Sequence, residues 1–194
     1  MSPRLLVCCE FTQRVMTAFL EKGFDAYSND IIECEGKYKD RHLKMDAHKA
    51  VMLKSWDLII AHPPCTYLAN VTSPLLKSKS GLNTERYLKL LDARDFFMWF
   101  WLQVKVPLCV ENPLPHPLAA LPPYTQIVDP TMFGDTWKKR TCFWLKDLPP
   151  LLPTTVKPLQ TKSYHADMRG GHNRSKISPY LAQAMADQWA PLFI

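Results

Sequence analysis

Two short motifs stand out for the chemistry their residues could do: Pro63-Pro64-Cys65-Thr66 and Glu111-Asn112-Pro113. Each follows a short apolar run, so each is expected just past the end of a strand. A cysteine at a strand tip is open to reaction, and nearby backbone amides stabilise its thiolate. Addition of a thiolate to carbon 6 of a pyrimidine makes carbon 5 nucleophilic, and negative charge then builds at nitrogen 3. A carboxylic acid that protonates or hydrogen-bonds nitrogen 3 stabilises that charge. One cysteine and one glutamate facing an extruded base are the minimum such chemistry requires.

The surrounding elements have to bring these motifs together. Residues 4–9 form an apolar run, expected as a buried strand, and 12–22 have helical periodicity through Val15, Phe19 and Leu20, with Gly23 placed to end the helix. A second strand is expected at 24–29 ending at Asp30, a short helix at 46–53, and a third strand at 56–61 stopped by Pro63-Pro64. Residues 84–104 read as a long aromatic helix and 107–110 as a further strand ending at Glu111. Alternating strands and helices predict an α/β fold, Rossmann-like, with a mostly parallel sheet and helices on both faces. In such sheets ligands lie beyond the carboxyl ends of the strands. Glu10, Asp30, Cys65 and Glu111 all fall there, so four segments converge on one rim.

Beyond residue 112 the texture changes. Residues 107–130 and 149–158 are proline-rich and read as irregular cover, with one strand at 141–145 between them. A basic loop spans 169–174 and a final amphipathic helix 179–189. The expected organisation is one domain over 1–194: a cofactor and catalytic core at 1–112, a proline-rich cover with a small target-contact region at 113–178, and a C-terminal helix at 179–190.

The chain has 194 residues, a net charge of +6 and 22% charged residues, which suits one globular core and a polyanionic partner. No apolar stretch is long enough to span a membrane, and no secretory segment is evident. The six cysteines are therefore expected as free thiols in a cytoplasmic protein. Their spacing does not match a zinc site, so no metal is expected. Cys8, Cys9, Cys109 and Cys142 lie in the expected strands and read as core residues, as does the aromatic stripe 96–101. His62 beside the nucleophile reads as a structural histidine.

With both motifs in order on strand ends, the chain resembles the DNA cytosine-5 methyltransferases, and more closely their short phage and prophage-type relatives. The resemblance rests on Cys9-Glu10-Phe11, the run from His62 to Leu68, Val110-Glu111-Asn112-Pro113 and Trp144-Leu145-Lys146, and covers roughly residues 5–189. It implies an S-adenosylmethionine-dependent methyltransferase fold, S-adenosyl-L-methionine as cofactor, and double-stranded DNA as partner with the target cytosine flipped out. A monomer is expected, in the bacterial host cytoplasm if phage-encoded. It implies Cys65, Glu111 and Asn112 as catalytic residues, with Arg140 from the basic run Lys138-Lys139-Arg140 near the base; the spacing also allows Lys139 that place. The cofactor pocket would draw on Cys9, Glu10, Phe11 and Thr12, on Asp30 and Ile31, on Asp46 and Ala47, on Pro63, and on Ser178 from the last motif. The first turn, Cys9 to Arg14, lacks the family's glycines, and Glu10 could instead cap the helix that follows. DNA contacts would come from Thr66, Tyr67, Lys77, Lys79, Lys138, Lys139, Arg169 and Arg174, which specify only a short sequence.

Three other functions compete. Amino-methyltransferases use an Asp-, Asn- or Ser-Pro-Pro-aromatic motif, whereas this chain has His62 first and Cys65 in the aromatic slot. A cytosine-5 enzyme acting on free nucleotide or RNA fits the same residues. A catalytically inactive nucleic-acid-binding relative fits the missing glycines.

Overall fold

The computed structural model describes residues 2–78, 81–155, 162–163 and 175–194. Seven strands form one sheet: β1 (Arg4–Cys8), β2 (Asp25–Asp30), β3 (His42–Lys44), β4 (Leu58–Ala61), β7 (Leu108–Asn112), β8 (Gln126–Val128) and β10 (Thr141–Lys146). Its order is β3-β2-β1-β4-β7-β10-β8. β3, β2, β1, β4 and β7 run parallel, and β10 lies antiparallel between β7 and β8. The helices are α1 (Arg14–Leu20), α2 (Ala47–Leu53), α3 (Thr84–Gln103) and α4 (Pro179–Trp189). A two-residue hairpin, β5 (Lys77–Ser78) with β6 (Gly81–Leu82), precedes α3, and β9 (Trp137–Lys138) pairs with β11 (Lys162–Ser163).

Central strands buried on both faces must be apolar at every position, which is how β1 and β4 read. Their pleat sends Leu5, Val7, Leu58 and Ile60 to one core and Leu6, Cys8, Ile59 and Ala61 to the other. The first core takes Val15, Met16 and Phe19 of α1 with Leu181, Met185 and Trp189 of α4. The second takes Ala47 and Ala50 of α2 with Leu90, Phe97 and Phe100 of α3. Phe97 meets Trp144 edge-on at 4.8 Å between ring centres. Each fully buried aromatic or branched side chain contributes about 1.5–3 kcal/mol. The fold is thus the expected α/β sandwich with helices on both faces.

Several elements differ from expectation. The first helix begins two residues late because Gln13 sits in the left-handed region, φ 58°, and Gly23 ends the segment at φ 91°. Strands β3 and β8 have only three residues each and form the two edges of the sheet. β8 falls inside the stretch read as irregular proline-rich cover, where it pairs with β10. No helix among the described residues is long and apolar enough to cross a membrane.

Candidate active site

The sheet changes direction of winding at β1, whose neighbours are β2 and β4. The crevice beyond the carboxyl ends at such a point is where doubly wound folds bind ligands. Three buried side-chain atoms there have no hydrogen-bond partner among the described residues: Asn29 Oδ1, His62 Nε2 and Asn112 Oδ1. Buried polar atoms are rarely left so unless a ligand or water meets them.

Register decides which side chains meet. Ala61 of β4 lies opposite Val110 of β7, so the next residues, His62 and Glu111, emerge side by side. His62 Nδ1 is 3.2 Å from Glu111 Oε2, with side-chain exposures of 10% and 15%. The Thr141 hydroxyl at the start of β10 donates to Glu111 Oε1. One residue on, the Asn112 amide donates to the Pro63 carbonyl at 2.8 Å and is fully buried. This bond ties the end of β7 to the loop that carries Cys65. Cys65 is half-buried, and its carbonyl accepts from Leu68 and Ala69, closing a turn directly behind it.

Burial alone would raise the Glu111 carboxyl, but His62, Lys139 and Thr141 together hold it below the usual carboxylate range. Burial lowers the Lys139 ammonium, opposed by the charges of Glu111 and Cys65 and reinforced by Arg14. Lys139 therefore lies with the two reactive groups, whereas Arg140 beside it is exposed. Of the two basic residues that the spacing allowed, Lys139 is the one drawn inward. Its Nζ donates to the Lys176 carbonyl at 2.9 Å.

The first turn achieves its curvature without glycine. Cys9 and Gln13 occupy the left-handed region at φ 57° and 58°, a conformation that costs non-glycine residues roughly 1–2 kcal/mol each. Gln13 is buried; its Nε2 donates to Ser28 Oγ at 3.0 Å and the Tyr38 carbonyl at 2.8 Å, and its Oε1 accepts from the Tyr38 amide at 3.1 Å. The side chain lies against Gly36, where an added Cβ would stand 2.2 Å from Gln13 Oε1. Glu10 accepts from the amides of Val15 at 2.7 Å and Met16 at 3.2 Å, so it caps α1. Burial pushes the Glu10 carboxyl up, against the charge of His62 and those amides.

Asp30 ends β2 and accepts from the amides of Ile31 and Ile32; Ile31 is 72% exposed beside it. Asp46 caps α2 through Oδ1, accepting from His48 and Lys49. Burial and the charges of Asp30 and Asp46 all push the Cys9 thiol up, which places both carboxylates around Cys9. Phe11 and Ala47 are buried. The segment just before α4 returns to the first turn: Arg14 donates to the Ile177 carbonyl, and Lys176 pairs with Glu35 at 2.8 Å. Ser178 is occupied otherwise, donating to Asp135 at 2.6 Å and capping α4.

Among the candidate DNA contacts, Thr66, Lys77 and Lys138 are exposed, and Arg86 lies 5.0 Å over the Tyr67 ring. Lys79, Arg169 and Arg174 lie outside the described residues. His62, read from the sequence as a structural histidine, is paired with Glu111 in the structure. Its signal was its position, one residue past an apolar strand that neighbours the strand bearing Glu111.

No protein-family model matches the chain, and no curated protein matches it. Among solved structures it is similar to a DNA modification methyltransferase encoded within a prophage of E. coli, at 15% identity and TM-score 0.46, over 81% of this chain and 53% of that one. It is also similar to the methyltransferase EhMeth of Entamoeba histolytica, at 13% identity and TM-score 0.42, over 84% and 58%. The chain spans little more than half the length of these proteins. Assignment of chemistry therefore rests on the geometry of this chain.

Proposed function

We propose that this chain transfers a methyl group to carbon 5 of cytosine in DNA, with Cys65 as the covalent nucleophile. The observation that carries the reading is the bond from Asn112 to the Pro63 carbonyl, which fixes the Cys65 loop beside Glu111 at the strand ends. Two separate motifs become one site by that link.

S-adenosyl-L-methionine, when bound, would supply the methyl group as an electrophilic sulfonium substituent. The residues around Cys9 fit its nucleoside half. Asp30 and Asp46 can accept from hydroxyl and amino groups, and exposed Ile31 offers an apolar face. Glu10 serves α1 instead, so the amino-acid half would rest on the backbone of the first turn. The orphaned Asn29 oxygen near this turn is a further acceptor for it.

Cys65 Sγ would bond to carbon 6 of the flipped base, and the displaced electron pair would move to nitrogen 3. Glu111 would meet nitrogen 3 and deliver a proton there. After carbon 5 has taken the methyl group, its proton leaves to water and the Cys65 thiolate departs, which restores the ring. Lys139 is suited to hold Cys65 as a thiolate between turnovers. Lys77 and Lys138 would bind phosphates, so affinity should fall steeply with salt.

The test is to incubate the protein with S-adenosylmethionine and mixed-sequence DNA, digest to nucleosides and measure 5-methylcytosine. DNA carrying 5-fluorocytosine should trap an adduct in the wild type and none in Cys65→Ala. Product on free dCTP or RNA with none on DNA would move the substrate, and cofactor affinity without any product would make the chain a binder.

A further inference from the structure

We infer that His62 is a positioning residue that hands Glu111 the proton needed at nitrogen 3. The inference rests on the cytosine-5 reading above and deepens it. His62 and Glu111 leave adjacent parallel strands in register, and both side chains are nearly buried with Nδ1 and Oε2 3.2 Å apart. The hydrogen bond with His62 holds one oxygen of Glu111 while Thr141 fixes the other, so the orientation of the carboxylate is set from both sides.

The arrangement answers a difficulty in the mechanism. His62, Lys139 and Thr141 hold Glu111 in its ionised form, and a carboxylate has no proton to give. The proton must reach it from a neighbour within hydrogen-bond distance. Lys139 is near, but it donates to the Lys176 carbonyl and its charge also faces Cys65. His62 is bonded to the carboxylate directly.

The titratable groups around His62 come from several elements. Glu10 faces it from the turn after β1, Glu111 from β7, and Lys139 acts on Glu111 from the turn before β10. Two carboxylates thus face one imidazole, and its protonated form is the one that can donate to Glu111. The step balances as follows. Sγ of Cys65 bonds to carbon 6, and the pair released onto nitrogen 3 takes a proton from Glu111. Glu111 takes the Nδ1 proton of His62, leaving neutral imidazole. On elimination the proton returns from nitrogen 3 through Glu111 to His62, and no proton is gained or lost over the cycle by the pair.

The remaining Nε2 of His62 is buried without a partner among the described residues. A purely structural histidine would be expected to use both nitrogens.

The experiment compares wild type with His62→Asn and His62→Phe. Asparagine keeps a donor near the Nδ1 position but cannot supply a proton. Single-turnover methylation of DNA is followed over about pH 5 to 8, the range of histidine titration, with cofactor affinity measured by calorimetry. The wild-type rate should fall as pH rises through this range. In His62→Asn the rate should be lower on the order of 100-fold, the scale of a lost general acid, and flat with pH, with cofactor affinity unchanged. Infrared titration of the Glu111 carboxyl should move upward in His62→Phe, since the bond that lowers it is lost. Wild-type rate or a wild-type pH profile in His62→Asn would overturn the inference while leaving the cytosine-5 reading intact. A wild type that forms neither 5-methylcytosine nor the 5-fluorocytosine adduct would overturn both.

Discussion

Replacement of Asn112 by alanine should loosen the site and the protein together. Asn112 is fully buried, and its amide donates to the Pro63 carbonyl at 2.8 Å. Truncation leaves that carbonyl buried without its donor, a loss of about 1–3 kcal/mol, and the void adds to it. Divided by a urea slope of about 2–3 kcal/mol/M, the denaturation midpoint should drop by roughly 0.3–1.5 M. The Cys65 loop then keeps its own turn and the bonds that tie Leu68 to His116 and Asn70 to Leu114, but loses its link to the end of β7. Displacement of a reacting group by about 1 Å costs on the order of 100-fold in rate, so methylation should fall by that order. At the same time Cys65, half-buried in the wild type, should be alkylated faster by iodoacetamide, followed at its own peptide by mass spectrometry. Asn112→Asp should be worse still, because it sets carboxylate oxygens against a carbonyl. A midpoint and a Cys65 alkylation rate both unchanged in Asn112→Ala would refute the idea that this bond joins the two motifs.

Other outcomes separate structural from functional roles. Asp46→Ala should cost about 1 kcal/mol through loss of the α2 cap, while Asp46→Asn should keep the cap and still weaken S-adenosylmethionine binding in calorimetry; equal affinities in Asn and wild type would remove Asp46 from the pocket. Glu10 has its carboxyl raised by burial, so its contribution is fully present below the ordinary carboxylate value and is lost as pH rises through the raised one; Glu10→Gln should therefore gain on wild type in thermal melts as pH increases. Glu111 is lowered, and the sign reverses: its contribution is present above the ordinary value and disappears on acidification, so the stability gap between wild type and Glu111→Gln should close as pH falls. Asp187→Asn, which removes an exposed pair with Lys22 at 2.6 Å between α1 and α4, should cost only about 0.2–1 kcal/mol.

The strand ends were readable because a buried parallel strand must be apolar and its first polar residue marks the rim. That logic found Asp30, the Cys65 loop and Glu111. It could not find β3 or β8, since three residues hold too little alternation to reveal a period. It left Glu10 undecided, because a carboxylate five or six residues before buried amides serves a cap or a ligand equally well. Here the amides of Val15 and Met16 take it. The pairing of His62 was not legible for a different reason. Its partner is 49 residues away, and only the pairing of β4 with β7 makes them neighbours. The choice between Lys139 and Arg140 was likewise a matter of which residue of the connection between β9 and β10 faces inward, which no spacing states.

The interlock of Gln13 with Gly36 has a consequence for how this chain can vary. A side chain at position 36 would collide with the amide of Gln13, and loss of that amide would take from the Tyr38 backbone two bonds and leave Ser28 with His42 alone. Neither position is free to drift by itself. Gln13→Gly would relieve the strained φ and open room for alanine at 36, so a harmful change at one site becomes tolerable after a change at the other. Descendants of this sequence should therefore be found in two forms, a bulky 13 with glycine at 36 or a small 13 with a side chain at 36, and the mixed form with both bulky should be missing from a library selected for folding.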